Sequence, residues 1–327
     1  MFIIAPSLRY YQVMSFSIVP GMPVAEYNDL YGQVRKSNLL QSYEYGIASA
    51  RVNYQIPRRF KILVNGQTAG VFQTLEAKIF SGALHGIIMD RGPLWLEGYG
   101  SDENFLSFLE EYDRMFPRRP GRRRRIIPEW PENIKICSLI KENAYKPLKR
   151  PGYSTIWMGL TKTNEELRAG MRQKWRNVLN KSERFGFDID WDDKGTLWPE
   201  LRCKYIEDRK KRGYPGPSPV LLDHLVNEFA ASKNLLIGKL SLNSNFYSGM
   251  LVFRHGRSAT WQAGLVSPEG RKTGAGYRLL WESCRELKRR GTDDFDLGGV
   301  NETKASGIRH FKKGLGGEEV TLAGHFL

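Results

Sequence analysis

Cysteine is scarce in this 327-residue chain. There are three, Cys137, Cys203 and Cys284, far apart and odd in number. That excludes a disulfide framework and the paired spacing of a zinc site, and it fits a reducing compartment. Histidine is nearly as rare, with five, and no Ser-His-Asp or Cys-His nucleophile pattern or metal-ligand cluster stands out. Long apolar runs are absent: nothing approaches the roughly 20 residues of a membrane-spanning helix. The opening MFIIAPSLRYYQV has too short an apolar run, and no basic flank, for a secretory signal. The expectation is a cytoplasmic chain without a transmembrane segment, with contact at the inner face of the membrane left open.

Acidic residues are outnumbered. Against 35 Asp and Glu stand 50 Lys and Arg, a formal charge of +15. The imbalance favours polyanionic partners such as nucleic acid, coenzyme A, nucleotide-linked sugars or anionic lipid, without choosing among them. The densest run is Arg118–Arg119–Pro120–Gly121–Arg122–Arg123–Arg124–Arg125. It reads as a solvated loop entering an edge strand at Ile126–Ile127, with a general electrostatic role; the alternative is a phosphate contact surface for tRNA or membrane headgroups.

The length suggests two domains, 1–150 and 151–327, joined after a stretch rich in proline, glycine and basic residues. In the first, two short helices precede strands around the hairpin signal Asn65–Gly66. A third strand lies near Leu84–Met89, and a helix covers Glu103–Phe116. In the second, Thr163 and Glu166 form a capping box that opens a long basic helix. There Lys174, Arg176, Asn177 and Lys181 share a face. A further helix ends in Arg209–Lys210–Lys211–Arg212, and Ser218–Pro219 starts the next. Three strands, LLIGKLSL, NFYSGMLVFRH and SATWQAGLV, then lead to Arg271, Lys272, Gly274 and Gly276 in the pattern R-x-x-G-x-G. A helix follows. Two glycines before a helix N-terminus suit a phosphate or carboxylate, and a plain glycine turn explains them equally well.

That strand, glycine loop and helix resemble the GNAT acyl-CoA N-acyltransferase superfamily. FDLGGV followed by GIRHFKKGLGGEEVTLAG resembles the carboxy-terminal signature of the FemAB family. LLQSYEYG resembles its QS-x-x-W phrase, with Tyr45 where Trp is usual, and Arg91–Gly92–Pro93 and the helix around Lys174–Asn177 agree with it. The resemblance implies an α/β (α+β) fold of two tandem GNAT-like domains, each a mixed sheet flanked by helices, with the final strand returning to the first domain. It also implies N-acyl transfer. The lead expectation is movement of an aminoacyl group from aminoacyl-tRNA to an amine of a peptidoglycan precursor. The first alternative is an acyl-CoA-dependent transferase acting on a sugar or polysaccharide precursor, which the R-x-x-G-x-G loop favours. The second is a non-catalytic RNA- or envelope-binding protein of the same fold.

By the same resemblance Phe311 and Lys312 lie at the reaction centre. Lys313 reads as an ordinary lysine at a helix C-terminus. Asp296 is the candidate base of the DLGG phrase, although capping the glycine turn explains it better. Asp294, Glu302 and His310 lie nearby in sequence. Arg271, Lys272, Gly274 and Gly276 would hold donor phosphates. Lys174, Arg176, Asn177, Arg209 and Arg212 would contact substrate phosphates. No tightly bound cofactor is expected beyond the donor, aminoacyl-tRNA or acyl-CoA. The first domain has no glycine-rich loop and would bind the acceptor. The oligomeric state is left open.

Overall fold

The computed structural model describes residues 15–132, 134–143, 145–150, 152–213, 216–300 and 306–327. The first half builds one sheet from β1 (Phe16–Pro20), β2 (Ile56–Val64), β3 (Gln67–Ile79), β4 (Leu84–Asp90), β5 (Leu94–Trp95) and β6 (Arg122–Ile127). Helices α1 (Val24–Gln33), α2 (Tyr43–Asn53), α3 (Asp102–Met115) and α4 (Ile134–Glu142) accompany it. Its order is β1-β2-β3-β4-β6, with β5 paired to β3. The Asn65–Gly66 hairpin forms as expected, both residues at positive φ.

The second half holds β7 (Ser154–Gly159), α5 (Asn164–Ala169), α6 (Gln173–Ser182), β8 (Asp188–Asp192), α7 (Trp198–Arg212) and α8 (Pro219–Ala231). Then come β9 (Leu235–Leu242), β10 (Asn245–His255), β11 (Ser258–Val266), α9 (Pro268–Thr273) and α10 (Ala275–Arg289). The chain closes with β12 (Asp294–Asp296), α11 (Ser306–Gly314) and β13 (Glu318–Thr321). The sheet order is β13-β7-β12-β11-β10-β9-β8. Two mixed sheets flanked by helices are the architecture the sequence led us to expect.

Each sheet has its own core. Phe60, Phe72, Phe105, Phe108 and Tyr112 stack between the first sheet and α3. Leu236, Met250, Leu279, Leu280 and Phe295 fill the space between the second sheet and α10. A third cluster joins the halves: Leu39 and Ala48 pack with Trp198, Leu201, Leu222 and Leu225. The carboxyl end ties them again. β13 pairs with β7, and the residues after it cross to the first half. There Ile126 and Phe326 exchange backbone hydrogen bonds of 3.0 and 2.9 Å, and the buried Phe326 joins the first core.

Three local readings change. The long basic helix after Thr163 is two helices. The capping box forms, but the chain turns after α5 so that Arg172 N donates to Gly314 O at 2.9 Å. Arg122–Arg125 is not a loop but part of β6, in parallel register with His85–Ile88. Arg124 is buried there and pairs with Asp113 at 2.5 Å. The third change, the glycine loop at Gly274, bears on the site and is described with it.

Candidate active site

Strands β11 and β12 run parallel but pair over only Ser258–Asp294, Ala259–Phe295 and Thr260–Asp296. Beyond that point they part. Leu297 N and Val300 N bond to Ile156 O and Ser154 O, so the chain follows β7. β11 stays with β10 as far as Val266, through a bulge in which Gln262 is the extra residue between Trp261 and Ala263. A bulge bends its strand. The result is a wedge with Trp261 on one wall and the Gly298–Gly299 turn on the other. Glycine is required at 298. Its φ is +75°, and a Cβ there would lie 2.7 Å from Trp261 O.

Lys312 reaches into this wedge. Its Nζ donates to Gly298 O at 3.2 Å and Gly299 O at 3.1 Å, and lies 4.9 Å from the centre of the Trp261 ring. The residue is 7% exposed, so its charge acts with little solvent screening. The packing of α11 on α6 puts it there. Trp175 Nε1 donates to Phe311 O at 3.0 Å, and a Cβ at Gly314 would lie 2.6 Å from the Trp175 ring. The Phe311 ring packs against Tyr277, Trp175 and Trp261, at 4.8, 6.1 and 6.3 Å between centroids. An ammonium beside an aromatic wall is the arrangement that stabilises negative charge developing on an acyl carbonyl.

Asp296 stands behind the turn. One carboxylate oxygen accepts from Gly298 N at 2.8 Å and from the Thr155 hydroxyl. The other accepts from Arg91 Nη1 at 3.0 Å. Arg91 comes from the first half, just past β4, and also forks onto Glu129 at 2.7 and 2.8 Å. Burial alone would lower the Arg91 pKa. Glu129 and Asp296 together outweigh it and hold it well above the usual value. Burial raises the Glu129 pKa, and Arg91 opposes that. Asp296 is fully buried with both oxygens engaged. The geometry therefore gives it the role of turn cap and anchor between the halves, not that of a base.

The expected open glycine loop is a helical turn packed closely against its neighbours. Pro268–Thr273 form α9, capped by Ser267, whose hydroxyl accepts from Gly270 N at 2.9 Å. Gly274, Ala275 and Gly276, the start of α10, are all buried. A Cβ at Gly274 would lie 2.8 Å from Val178 of α6, and one at Gly276 would lie 2.9 Å from Val266. These glycines let α6 and β11 approach the start of α10 closely. Arg271 is exposed and turns back to Val266 O at 2.9 Å, and Lys272 points to solvent.

The remaining candidates scatter. Lys174, Asn177 and Lys181 are exposed on α6, while Arg176 is half-buried. Arg209 bonds to Pro217 O at 3.3 Å, and Arg212 pairs with Asp208 at 2.7 Å. Neither is bonded to the Lys312 cluster among the described residues. Lys313 pairs with Glu319 at 2.9 Å. Asp294 is buried and His310 is exposed; Glu302 lies outside the described residues. No acidic, histidine and cysteine cluster able to hold a metal occurs among the described residues. Sequence reasoning gave no role to Trp175, Tyr277, Trp261 or Thr155. It noted Arg91 only as part of a phrase. Gly264 inside the strand, three residues after Trp261, was the available signal for the bulge.

Residues 165–313 match the Acetyltransferase (GNAT) domain family. No curated protein matches the sequence. Solved structures match over nearly the whole length. FemX aligns with a TM-score of 0.77 at 14% identity, covering 95% of this chain and 96% of that one. The C-terminal domain (DUF2156) of a putative lysylphosphatidylglycerol synthetase from Agrobacterium fabrum gives 0.54 at 12%, with 93% and 92% covered. A tandem GNAT protein from the clavulanic acid biosynthesis pathway gives 0.53 at 10%, with 95% and 98% covered. The chain thus has a FemX-like, tandem-GNAT fold and is an acyltransferase. Its wedge between β11 and β12 lies inside the matched domain. Among the described residues no helix is long and apolar enough to cross a membrane.

Proposed function

We propose that the protein moves an aminoacyl group from aminoacyl-tRNA to an amine of a peptidoglycan precursor, with the transfer at the Lys312 wedge. The acceptor amine attacks the ester carbonyl of the donor. The C–N bond forms, the C–O bond to the ribose breaks, and the ribose hydroxyl leaves with the proton the amine gives up. Lys312 stabilises the negative charge on the carbonyl oxygen in between. Trp261, Phe311 and Tyr277 exclude water from the ester. The acceptor enters from the first half, whose Arg91 holds the turn in place.

The observation that supports a tRNA donor over coenzyme A is the closely packed start of α10. A pyrophosphate needs room at a helix N-terminus as well as its N–H groups, and Gly274, Ala275 and Gly276 are buried, with Val178 and Val266 close beside the two glycines. The basic excess suits a polynucleotide as well.

The test is a pair of titrations at one stated salt concentration, because a chain this basic attracts any polyanion weakly. Saturable binding of one charged tRNA over its uncharged form, without saturable coenzyme A binding, is expected. Transfer of its labelled amino acid to a nucleotide-linked muramyl peptide should follow. Saturable coenzyme A binding that disappears in Arg271→Ala would sink the reading and make this an acyl-CoA enzyme.

A further inference from the structure

The two ends of β3 are built differently. At one end the chain turns through Asn65–Gly66, residues suited to positive φ. At the other end, between β3 and β4, the turn starts with Phe80 at φ +51° and Ser81 at +53°. A bulky aromatic residue at positive φ costs about 1 kcal/mol or more. Burial of the ring does not offset this, since Phe80 is 76% exposed. Ile79 and Leu84 face each other across the hairpin, where they pair in register, and are 56% and 46% exposed. The hairpin therefore ends in an apolar tip held out into solvent.

Basic side chains surround that tip. Arg119 Nη2 and Nη1 donate to Gly82 O at 2.6 Å and Ala83 O at 3.1 Å, which clamps the turn. Lys78 is exposed beside Ile79. Arg123 is exposed on neighbouring β6, opposite Gly86 and so on the same sheet face as Ile79 and Leu84. Glu76, two residues before Lys78, is buried, bonded to His85 and 3.8 Å from Lys78 Nζ. An apolar tip ringed by cations, with no exposed acid in the turn, matches one kind of surface in both respects. Anionic headgroups meet the cations, and the hydrocarbon boundary takes the side chains.

We propose that this hairpin docks the protein on an anionic lipid bilayer, with Phe80, Ile79 and Leu84 entering the headgroup–acyl boundary and Lys78, Arg119 and Arg123 bound to lipid phosphates. The proposal is independent of the donor and acceptor named above. Membrane docking would bring the transferase to acceptors that are themselves membrane-bound, yet transfer to a soluble acceptor does not need it.

The experiment is co-sedimentation of the full chain with vesicles of phosphatidylglycerol and phosphatidylcholine, and with phosphatidylcholine alone, at an ionic strength of about 0.15 M. Binding to the anionic vesicles alone is expected. Phe80→Ser should weaken it about tenfold, and Arg123→Gln about fivefold. Because Phe80 and Arg123 are exposed, both variants should keep the wild-type melting temperature and the wild-type rate on a soluble acceptor. Ile79→Ser provides a second reading of the apolar contribution. Unchanged vesicle binding in both Phe80→Ser and Ile79→Ser would overturn the proposal, leaving only the attraction of a basic protein for charge. So would a dimer in sedimentation equilibrium that Phe80→Ser dissociates, or loss of tRNA binding in Phe80→Ser with vesicle binding intact.

Discussion

Two glycine-rich segments lie in the second half, Gly274–Gly276 at the start of α10 and Gly298–Gly299 after β12. On paper they carry the same message, that something must come close to the backbone. In the structure the visitors differ. At Gly274 it is Val178 of α6. At Gly298 it is Trp261 O and the ammonium of Lys312, at a place where two strands part. A glycine reports close approach and not its purpose. What separates packing from chemistry is the charge and the gap beside it.

The largest expected effect breaks the support of the second segment. Arg91→Ala leaves the buried carboxylate of Asp296 and the partly buried one of Glu129 without their cation, which should cost about 3–5 kcal/mol of stability. Urea denaturation measures it. The double variant Arg91→Ala/Asp296→Asn should recover part of the loss, because one of the orphaned charges is gone. If Arg91→Ala were as stable as wild type, the anchoring of the Gly298 turn by the first half would be wrong.

Lys312→Ala tests the chemistry of the same turn. Loss of a single charge-stabilising donor at a developing oxyanion lowers the rate about 10²–10³-fold. The turnover number should fall that far while KM changes little. A fall in donor affinity with turnover intact would instead make Lys312 a phosphate contact.

Much of this fold is legible locally. The Asn65–Gly66 hairpin, the Thr163–Glu166 capping box, the Ser218–Pro219 helix start and the three strands before α9 all depend on neighbours a few residues away. What was hidden depends on distance in sequence. Arg91 and Asp296 meet across 205 residues, and no spacing rule joins them. The break between α5 and α6 interrupts a continuing helical pattern. It occurs because Arg172 N finds Gly314 O and because Gly316 packs on Gly170. Arg122–Arg125 looked too charged for a strand, until Asp113 gave the buried Arg124 a partner. The site followed the same division. Lys312 stood out through the FKKG phrase, while its setting of Trp175, Tyr277 and Trp261 came from three separate elements.

A smaller effect sharpens the contrast between the glycines. Gly274→Ala places a Cβ at φ +75° against Val178, for a loss of about 1–3 kcal/mol. Transfer per folded molecule should remain, because the residue only packs. Gly298→Ala meets similar strain, but its Cβ would also press on Trp261 O and approach Lys312 Nζ to 3.6 Å. It should lose transfer as well as stability. Equal effects on transfer from the two substitutions would erase the distinction and return the α10 terminus to the donor site.

The most gradual effect depends on pH and falls where the strands begin to part. His255 Nε2 lies 2.8 Å from the hydroxyl of Thr260, the last residue of β11 paired to β12, and Ser37 from the first half donates to His255 O at 2.9 Å. Burial pushes the imidazole pKa down to about 3; Asp296 works against this and Arg91 with it. The folded protein therefore refuses a proton that the unfolded chain binds at its ordinary value near 6.5. Stability from this group is complete above pH about 6.5. It falls by about 1.4 kcal/mol for each unit of acidification until the folded pKa is reached. His255→Gln should be less stable at neutral pH but show a shallower acid slope. Hydrogen exchange adds the spatial test: between pH 6.5 and 5, amides 297–300 should lose protection in the wild type before amides 277–281 do, since only the open turn borders the histidine's strand end. Matched loss at both segments would mean that acid unfolds the whole second half at once, and that the wedge is no weaker than the closely packed helix beside it.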